Sequence, residues 1–493
     1  MAQLSVPTQQ LSESMNVLRE KSPNIPSPCL PVSNPTRSYW LSENPLAKEG
    51  STGPLASNDI DICIIGSGIT GVSCAYQLAR LGLGAFEKQI MILEARDFCS
   101  GATGRNGGHL TPNPFLEFHD LEKTYSASEA IKTFEFERRT VQTILRFVEE
   151  SRIAQDIDLV TGGHITLFVT DVEEEIARRD FEAAIKAGLM LNDVEWIDKD
   201  DMLERYGTHY PGVRFSAHNL WPLKLVTHMF QVAKDALNLH LHTSTPVLSI
   251  SRNKGGGRRY TLQTPRGLLH ADYIIHATNG YAAYLLPQMH GPTGIIPTRG
   301  QVVAVRHSPQ RGREREELRK VSWDANEGFE YWFPRPSRTF EEDVPLVILG
   351  GGREAAKKTR YELYVSDDSA CNEVVGKALR DFLGSLYDGG QEDQRRVEHE
   401  WTGIMGYTKT GDPFLGPVVL DPDHPVPMKE YEGQYLAAGY NGHGMPRAFG
   451  CAEVIASMLL ADMQGKKWII PDWVPERWLA WKNKDEHIAV CCQ

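Results

Sequence analysis

Gly66, Gly68 and Gly71 are spaced as GxGxxG, between the apolar run Ile60, Ile62, Ile64, Ile65 and the stretch Val72–Leu78. That order reads as a buried parallel strand, a turn and a helix. Gly66 allows the tight turn, Gly68 lets the backbone approach a pyrophosphate, and Gly71 lets the helix lie close to the strand. Ile69 and Thr70 open the helix, where N–H groups without helical partners attract phosphate charge. Ile90 to Leu93 form a second strand, and Glu94 at its end is suited to a ribose 2′-OH. Strand, glycines, helix, strand and acid in this order point to a dinucleotide site. The connection from Gly71 to Glu94 exceeds the minimal unit, which predicts a lengthened loop near Gly82–Lys88.

Three further clusters carry residue types suited to a flat, charged ligand. Cys99-Ser-Gly-Ala-Thr-Gly-Arg105-Asn106-Gly107-Gly108-His109 sets glycines beside Arg and Asn, as a loop against a phosphate or ring requires. Ala277-Thr278-Asn279-Gly280 ends a strand in small residues, as expected where a buried strand meets a cofactor. Tyr440-Asn441-Gly442-His443-Gly444-Met445-Pro446 precedes a helical stretch, Arg447–Met463, with Pro446 read as its first residue. A helix start aimed at a ligand stabilises negative charge there.

The elements that must position these clusters follow from periodicity. Helices are expected over Thr124–Ser151, Asp171–Gly188 and Val226–Leu239. Strands are expected near Gly162–Val169, His240–Ser251, Tyr260–Thr264, Pro292–Val305, Phe329–Phe333 and Val344–Gly350. Lys254-Gly-Gly-Gly-Arg258 reads as a hairpin turn, since no helix follows it. Tyr331, Trp332 and Phe333 offer pocket walls. Residues 1–55, rich in Pro, Ser, Asn and Gln, read as a disordered or loosely docked extension, with Tyr39-Trp40-Leu41 as the one candidate anchor. Arg311–Lys320 reads as a charged helix or loop. Trp468, Trp473, Trp478 and Trp481 look like anchors of a docked tail.

The totals bound the partners. At 493 residues the chain can bury a large core and hold two domains. A net charge of −12 disfavours nucleic acid and anionic membranes. The 8 cysteines form no CxxC and no Cys/His ligand spacing, so no metal site is expected and a reduced setting fits. No run approaches a membrane span, the first residues lack a signal-peptide pattern, and the ending Val490-Cys-Cys-Gln493 matches no lipidation or peroxisomal signal. A cytoplasmic location is the expectation.

Taken in order, GSGITG (66–71), Glu94, GATGRNGG (101–108), ATNG (277–280) and AAGYNGHGMPRAFG (437–450) resemble the FAD-dependent D-amino-acid oxidase superfamily. That group contains glycine oxidase, the sarcosine oxidases and γ-glutamylputrescine oxidase, and GATGRNGG is closest to putrescine-type members. The resemblance implies an α/β fold with an α+β second domain: a Rossmann-like FAD domain assembled from discontinuous segments, and an antiparallel-sheet substrate domain. The expected division is FAD-binding 56–118, 205–295 and 396–465, substrate domain 119–204 and 296–395, and a tail 466–493. It also implies that Gly66, Gly68, Ile69, Thr70, Gly71 and Glu94 hold the ADP half of FAD. Arg105, Asn106, Gly107 and Gly108 would lie along the pyrophosphate and flavin. Val247 would face the adenine side, Ala277, Thr278 and Gly280 would flank the cofactor, and Gly442, His443, Gly444 and Met445 would meet the pyrimidine edge.

Departures from the family pattern narrow the chemistry. Met405 stands in the segment where sarcosine oxidases attach FAD through cysteine, so non-covalent FAD is expected. Pro446 and Gly108 stand where the family grips a substrate carboxylate, and Ile348 where a lysine helps oxygen react. These changes argue against a small amino acid held as sarcosine is held, and they leave oxygen open as the electron acceptor. The implied activity is oxidation of a C–N bond in a secondary or primary amine, such as a polyamine conjugate or a biosynthetic intermediate. His443, Tyr407 and His109 are the candidates for steering the amine or adjusting its proton. The alternatives are an FAD-dependent monooxygenase or C–C/C–O dehydrogenase on the same platform, and a non-catalytic FAD-binding subunit.

Overall fold

A computed structural model describes residues 25–306, 319–336, 344–386, 396–420 and 429–482. Residues 1–24, most of the Arg311–Lys320 stretch and the final Val490–Gln493 lie outside these.

Among the described residues, two sheets of eight strands divide the work. In the first, Asp59–Ile65 lies at the centre, parallel to Gly267–His276 on one side and Gln89–Leu93 on the other. Asn238–His242 extends it beyond Gln89–Leu93, and Gln434–Ala438 beyond Gly267–His276, both in parallel. Phe414–Pro417 closes that edge antiparallel. The central strand is buried from Ile60 onward, which is why it reads as an unbroken apolar run. Helix Ile69–Arg80 follows the glycine turn and buries Ile69 through Leu78 without interruption. It packs between Pro222–Ala236 and Gly444–Met463. The lengthened loop expected near Gly82–Lys88 forms a short 3-10 turn, Leu83–Phe86.

The second sheet runs Arg396–Tyr407, Ile296–Arg306, Leu346–Gly351, Glu330–Pro334, Ser322–Ala325, His164–Leu167, Gly212–Phe215, Glu195–Ile197. Its pairs are antiparallel except Ser322–Ala325 with His164–Leu167, which are parallel. The antiparallel sheet expected here thus carries one parallel seam. The two strands come from separate chain segments, so no hairpin fixes their direction.

Two strands pair across the expected division. Arg396–Tyr407, assigned by motif order to the FAD side, pairs along its length with Ile296–Arg306 and belongs to the second sheet. Gly212–Phe215, assigned likewise, pairs with His164–Leu167. Pairing between segments far apart in the chain decides membership here, and motif order does not report it.

The extension departs most from expectation. From residue 25 onward it packs against the fold, so the expectation of disorder is corrected for residues 25–55. Trp40 is completely buried, and its indole Nε1 donates to Asn106 O at 2.6 Å. Thr36 N donates to Asp368 O at 2.7 Å, and Ser38 Oγ to Gly104 O at 2.7 Å. The Tyr39-Trp40-Leu41 anchor was legible; the reach of the docking on either side of it was not. At the other end Trp478 is buried, with its Nε1 donating to Asp412. Among the described residues no helix is long and apolar enough to cross a membrane.

Candidate functional site

The glycine turn is built as a cradle that side chains would fill. Gly66 has φ +109, and a Cβ there would lie 2.7 Å from Ala277 O. A Cβ on Gly71 would lie 1.9 Å from Gly66 O, so strand and helix touch at that point. Gly68 caps the helix with no side-chain hydrogen bond. Ile69 N is taken by Thr103 Oγ1 at 3.0 Å, which ties the 101–108 loop to the helix start.

Glu94 is buried and already engaged. Its Oε2 accepts from Ser67 N at 3.0 Å and Ser67 Oγ at 2.8 Å, while Oε1 accepts from Arg96 N at 3.0 Å. The carboxylate therefore pins the glycine loop to the end of the second strand. Its remaining lone pairs are free for a hydroxyl. Val247 is buried beyond that strand end, where Thr245 N donates to Glu94 O at 2.7 Å.

The distant segments converge as the motif order requires. Ala277 N donates to Ile65 O at 2.9 Å, and Thr70 Oγ1 bonds to Tyr440 Oη at 3.0 Å. That single bond joins the first helix start to the late turn, 370 residues apart. Gly280 lies against Met405 O, where a Cβ would come to 2.6 Å. Asn441, at φ 53, donates its N–H to Gly406 O and accepts from Thr408 N at 2.8 Å. The late helix begins at Gly444 with His443 as its cap, so Pro446 is its third residue and not its first. The pyrrolidine is still tolerated there, because first-turn N–H groups have no helical partner.

Arg105 is placed differently from the expectation. Its guanidinium is already engaged: Nε donates to Ser100 O at 2.8 Å, and Nη1 to Thr36 O at 2.7 Å and Thr402 O at 3.0 Å. Burial lowers its pKa to about 10, with nearby Asp368 opposing. Thr36 sits on the extension, Thr402 on the second sheet and Ser100 on the loop that leads to Arg105, so the side chain ties the three together. Asn106 accepts from Gly108 N at 2.8 Å and holds the loop in a turn. Gly108, at φ +79, abuts Trp40 and leaves no room for a side chain that could grip a carboxylate. Met405 reaches toward Gly300, and Ile348 is buried in the core.

Tyr331 lies between glycines of two distant segments, Gly107 and Gly350. A Cβ on Gly107 would lie 2.3 Å from its ring, and one on Gly350 would lie 2.4 Å from its hydroxyl. Burial, with nearby Tyr407, pushes its phenol up to about 12. His109 packs edge-on against Tyr331 and Phe333, with centroids 5.4 and 5.3 Å apart. Burial and the neighbouring His164 lower its imidazole pKa to about 3, so it is neutral across the physiological range. Trp332 faces the other way, stacked on Trp323 at 6.0 Å, and is corrected from pocket wall to core.

Tyr407 Oη lies 3.4 Å from where a Gly442 side chain would begin, which brings it to the tip of the late helix. It accepts from Arg353 Nη2 at 3.1 Å. Arg353 was missed in the sequence. Its only signal was a basic residue directly after Gly350-Gly-Gly352 at the end of a buried strand.

His443 is half-exposed, with Nδ1 3.7 Å from Glu137 Oε2. Glu137 is buried and accepts from Arg447 Nε at 2.6 Å and Asn113 N at 2.7 Å. Burial pushes this carboxyl up, but Arg447, His443 and the Asn113 N–H outweigh it and hold it near 2. A depressed folded pKa stabilises the fold fully above the unfolded value and loses that contribution as pH falls toward 2. We expect Glu137→Gln to be less stable at pH 7 by roughly 3 kcal/mol, because it leaves Arg447 without its counter-charge. The variant should also lose less further stability than wild type between pH 5 and pH 2, which urea unfolding at each pH would measure.

The residues fit FAD on structural grounds of their own. The glycine cradle has no room for side chains, and Thr278 Oγ1 is buried with no hydrogen-bond partner beside the turn. The comparisons agree. A probable oxidoreductase OrdL of Rhizobium meliloti (strain 1021) is 25% identical over 413 residues, covering 82% of this chain and 84% of that protein. The gamma-glutamylputrescine oxidoreductase of Escherichia coli (strain K12) is 24% identical over 414 residues, covering 82% and 84%. The fold matches glycine oxidase from Geobacillus kaustophilus with a TM-score of 0.59 at 19% identity, covering 84% of this chain and 97% of that one. The family model described as DAO, FAD dependent oxidoreductase, matches residues 61–458, and the chain belongs to that family.

Proposed function

We propose that the chain oxidises a C–N bond of an amine, the resulting iminium being hydrolysed by water. The observation that carries this reading is the aromatic wall of Tyr331, Phe333 and neutral His109. Its Tyr331 lies against Gly107 and near Tyr407, whose hydroxyl in turn borders Gly442. FAD, when bound, supplies the hydride acceptor. Gly66, Gly68, Ile69, Thr70, Gly71 and Glu94 would hold its nucleotide end, with Val247 toward the adenine. Asn106, Gly107 and Gly108 would lie along its length, Ala277, Thr278 and Gly280 beside it, and Gly442 to Met445 at the ring edge. Met405 offers no thioether, and the cofactor is proposed to be non-covalent.

The wall favours the neutral amine, since a dry apolar pocket disfavours an ammonium. His109 adds no charge to that pocket. His443, half-exposed beside Glu137, is the group proposed to pass the amine proton outward. Oxygen is the acceptor proposed. Anaerobic addition of amines from a broad panel should bleach the 450 nm region of the bound flavin, and air should restore it with peroxide formed. Inertness across the panel would remove the substrate class.

A further inference from the structure

Glu330 is a carboxyl only 3% exposed, and among the described residues no base lies beside it. It opens strand Glu330–Pro334, just after a hairpin turn in which Asn326, Glu327 and Gly328 take φ 60, 56 and 77. Asn326 Nδ2 donates to Glu330 Oε2 at 2.8 Å. On the other side the turn Gly351–Gly352 lies flat against it. A Cβ on Gly351 would meet Phe329 O at 2.0 Å and Glu330 Cα at 2.9 Å. Gly352 N–H donates to the Glu330 carboxyl, and the Glu354 carboxyl hydrogen-bonds to it from the same turn. Glu354 Oε2 is buried and receives no donor.

Ionised carboxylates only accept hydrogen bonds, so two of them can bond to each other only through a proton that one retains. A like charge beside a buried carboxyl favours that protonated form. Burial, and then Glu354, hold the Glu330 carboxyl well above the ordinary carboxylate range. The other charges around the pair are engaged elsewhere or exposed. Arg353 bonds to Tyr361 O and Tyr407 Oη. Asp324 lies 3.4 Å from His164 Nε2, and Glu362 is paired with Arg299. Glu327 is exposed at the hairpin tip, and Lys357, Lys358 and Arg360 are exposed on the next turn. Helix Glu373–Leu386 brings Val375 and Leu379 against Gly352, and these carry no charge.

We propose that Glu330 and Glu354 are positioning residues that share one proton, and that this proton latches the hairpin tip to the turn Gly351–Ala355. The latch sits directly behind the site. Tyr331 follows Glu330 on the opposite face of the strand, against Gly107, and Arg353 leaves the latched turn to meet Tyr407. When the proton leaves, two carboxylates face each other out of water and the turn is released. A raised folded pKa means that the folded protein holds a proton the unfolded chain has given up. Stability therefore falls as pH rises from the ordinary carboxylate value toward the folded one, and the latch is intact below that folded value. None of this depends on the amine reading.

The test is hydrogen exchange on purified flavin-loaded protein, read by mass spectrometry over residues 346–361. In wild type, protection there, corrected for intrinsic exchange, should fall at least about 10-fold between pH 6 and pH 9. Glu354→Gln supplies an amide N–H in place of the shared proton, so the same segment should keep its protection across that range. Glu330→Gln should behave alike and serves if Glu354→Gln fails to fold. Glu354→Ala, which offers no group to bond, should lose protection at every pH. Infrared difference spectra should show a protonated-carboxyl C=O band in wild type that both Gln variants lack. Protection independent of pH in wild type, or the same pH dependence in the folded Gln variants, overturns the latch. Protection that follows added calcium and chelator in place of pH would put a cation between the carboxyls, and overturns the shared proton.

Discussion

Gly71→Ala should leave a desalting column without flavin. The added Cβ would sit 1.9 Å from Gly66 O and 3.2 Å from Ile64 Cγ2, both on the strand and turn that the helix must touch. A contact that short forces the helix to move, and it has nowhere to go. Every residue from Ile69 to Leu78 is buried, against helices Pro222–Ala236 and Gly444–Met463. Overpacking a rigid interface costs about 1–3 kcal/mol, and here displacement also spoils the turn that receives the pyrophosphate. Gly101→Ala is the matched control, since a Cβ there meets nothing within 4 Å and its φ is −81. The ratio of flavin to protein absorbance after desalting decides the matter. Wild-type flavin content in Gly71→Ala would show that the glycine turn does not hold the cofactor.

What the sequence revealed divides along physical lines. The run from Asp59 to Glu94 was readable because everything it encodes is local. An unbroken apolar run marks the strand, glycine spacing marks the turn, and an acid ends the next strand. The late turn was readable too, although the helix starts two residues earlier than Pro446 suggested, at Gly444. Side-chain direction was not readable wherever distant segments decide it. Arg105 is claimed by Thr36, 69 positions away, and by Thr402, 297 positions away. Nothing near Arg105 signals either partner. Strand Arg396–Tyr407 looked like part of the FAD side because its motif neighbours are there, yet its hydrogen bonds go to Ile296–Arg306. Trp332 and Tyr331 are adjacent in one strand and must face opposite sides. The sequence could not say which side held the pocket.

The extension is where composition misled most, and it yields the other large effect. Trp40→Ala should destabilise the protein by about 3–5 kcal/mol, the range for deleting a fully buried tryptophan. Trp40 packs edge-on against Trp221 at 5.6 Å and Tyr39 at 5.2 Å, with the Arg335 guanidinium 5.1 Å from its ring. Its backbone carbonyl accepts from Trp221 Nε1 at 2.8 Å. Removing the indole leaves a cavity bounded by rigid aromatic rings that cannot collapse into it. The loss should also travel to the cofactor loop, because the same indole donates to Asn106 O and closes over Gly108. We therefore expect faster flavin release on dilution as well as a lower Tm. Trp40→Phe separates the two effects: it restores most of the packing but not the N–H bond, so its Tm should recover more than its flavin retention. Equal recovery of both would mean that the extension supports the fold without ordering the loop. A Tm unchanged in Trp40→Ala would mean that the docking seen from residue 25 onward contributes little, and that Gly108 owes its lack of a side chain to the cofactor alone.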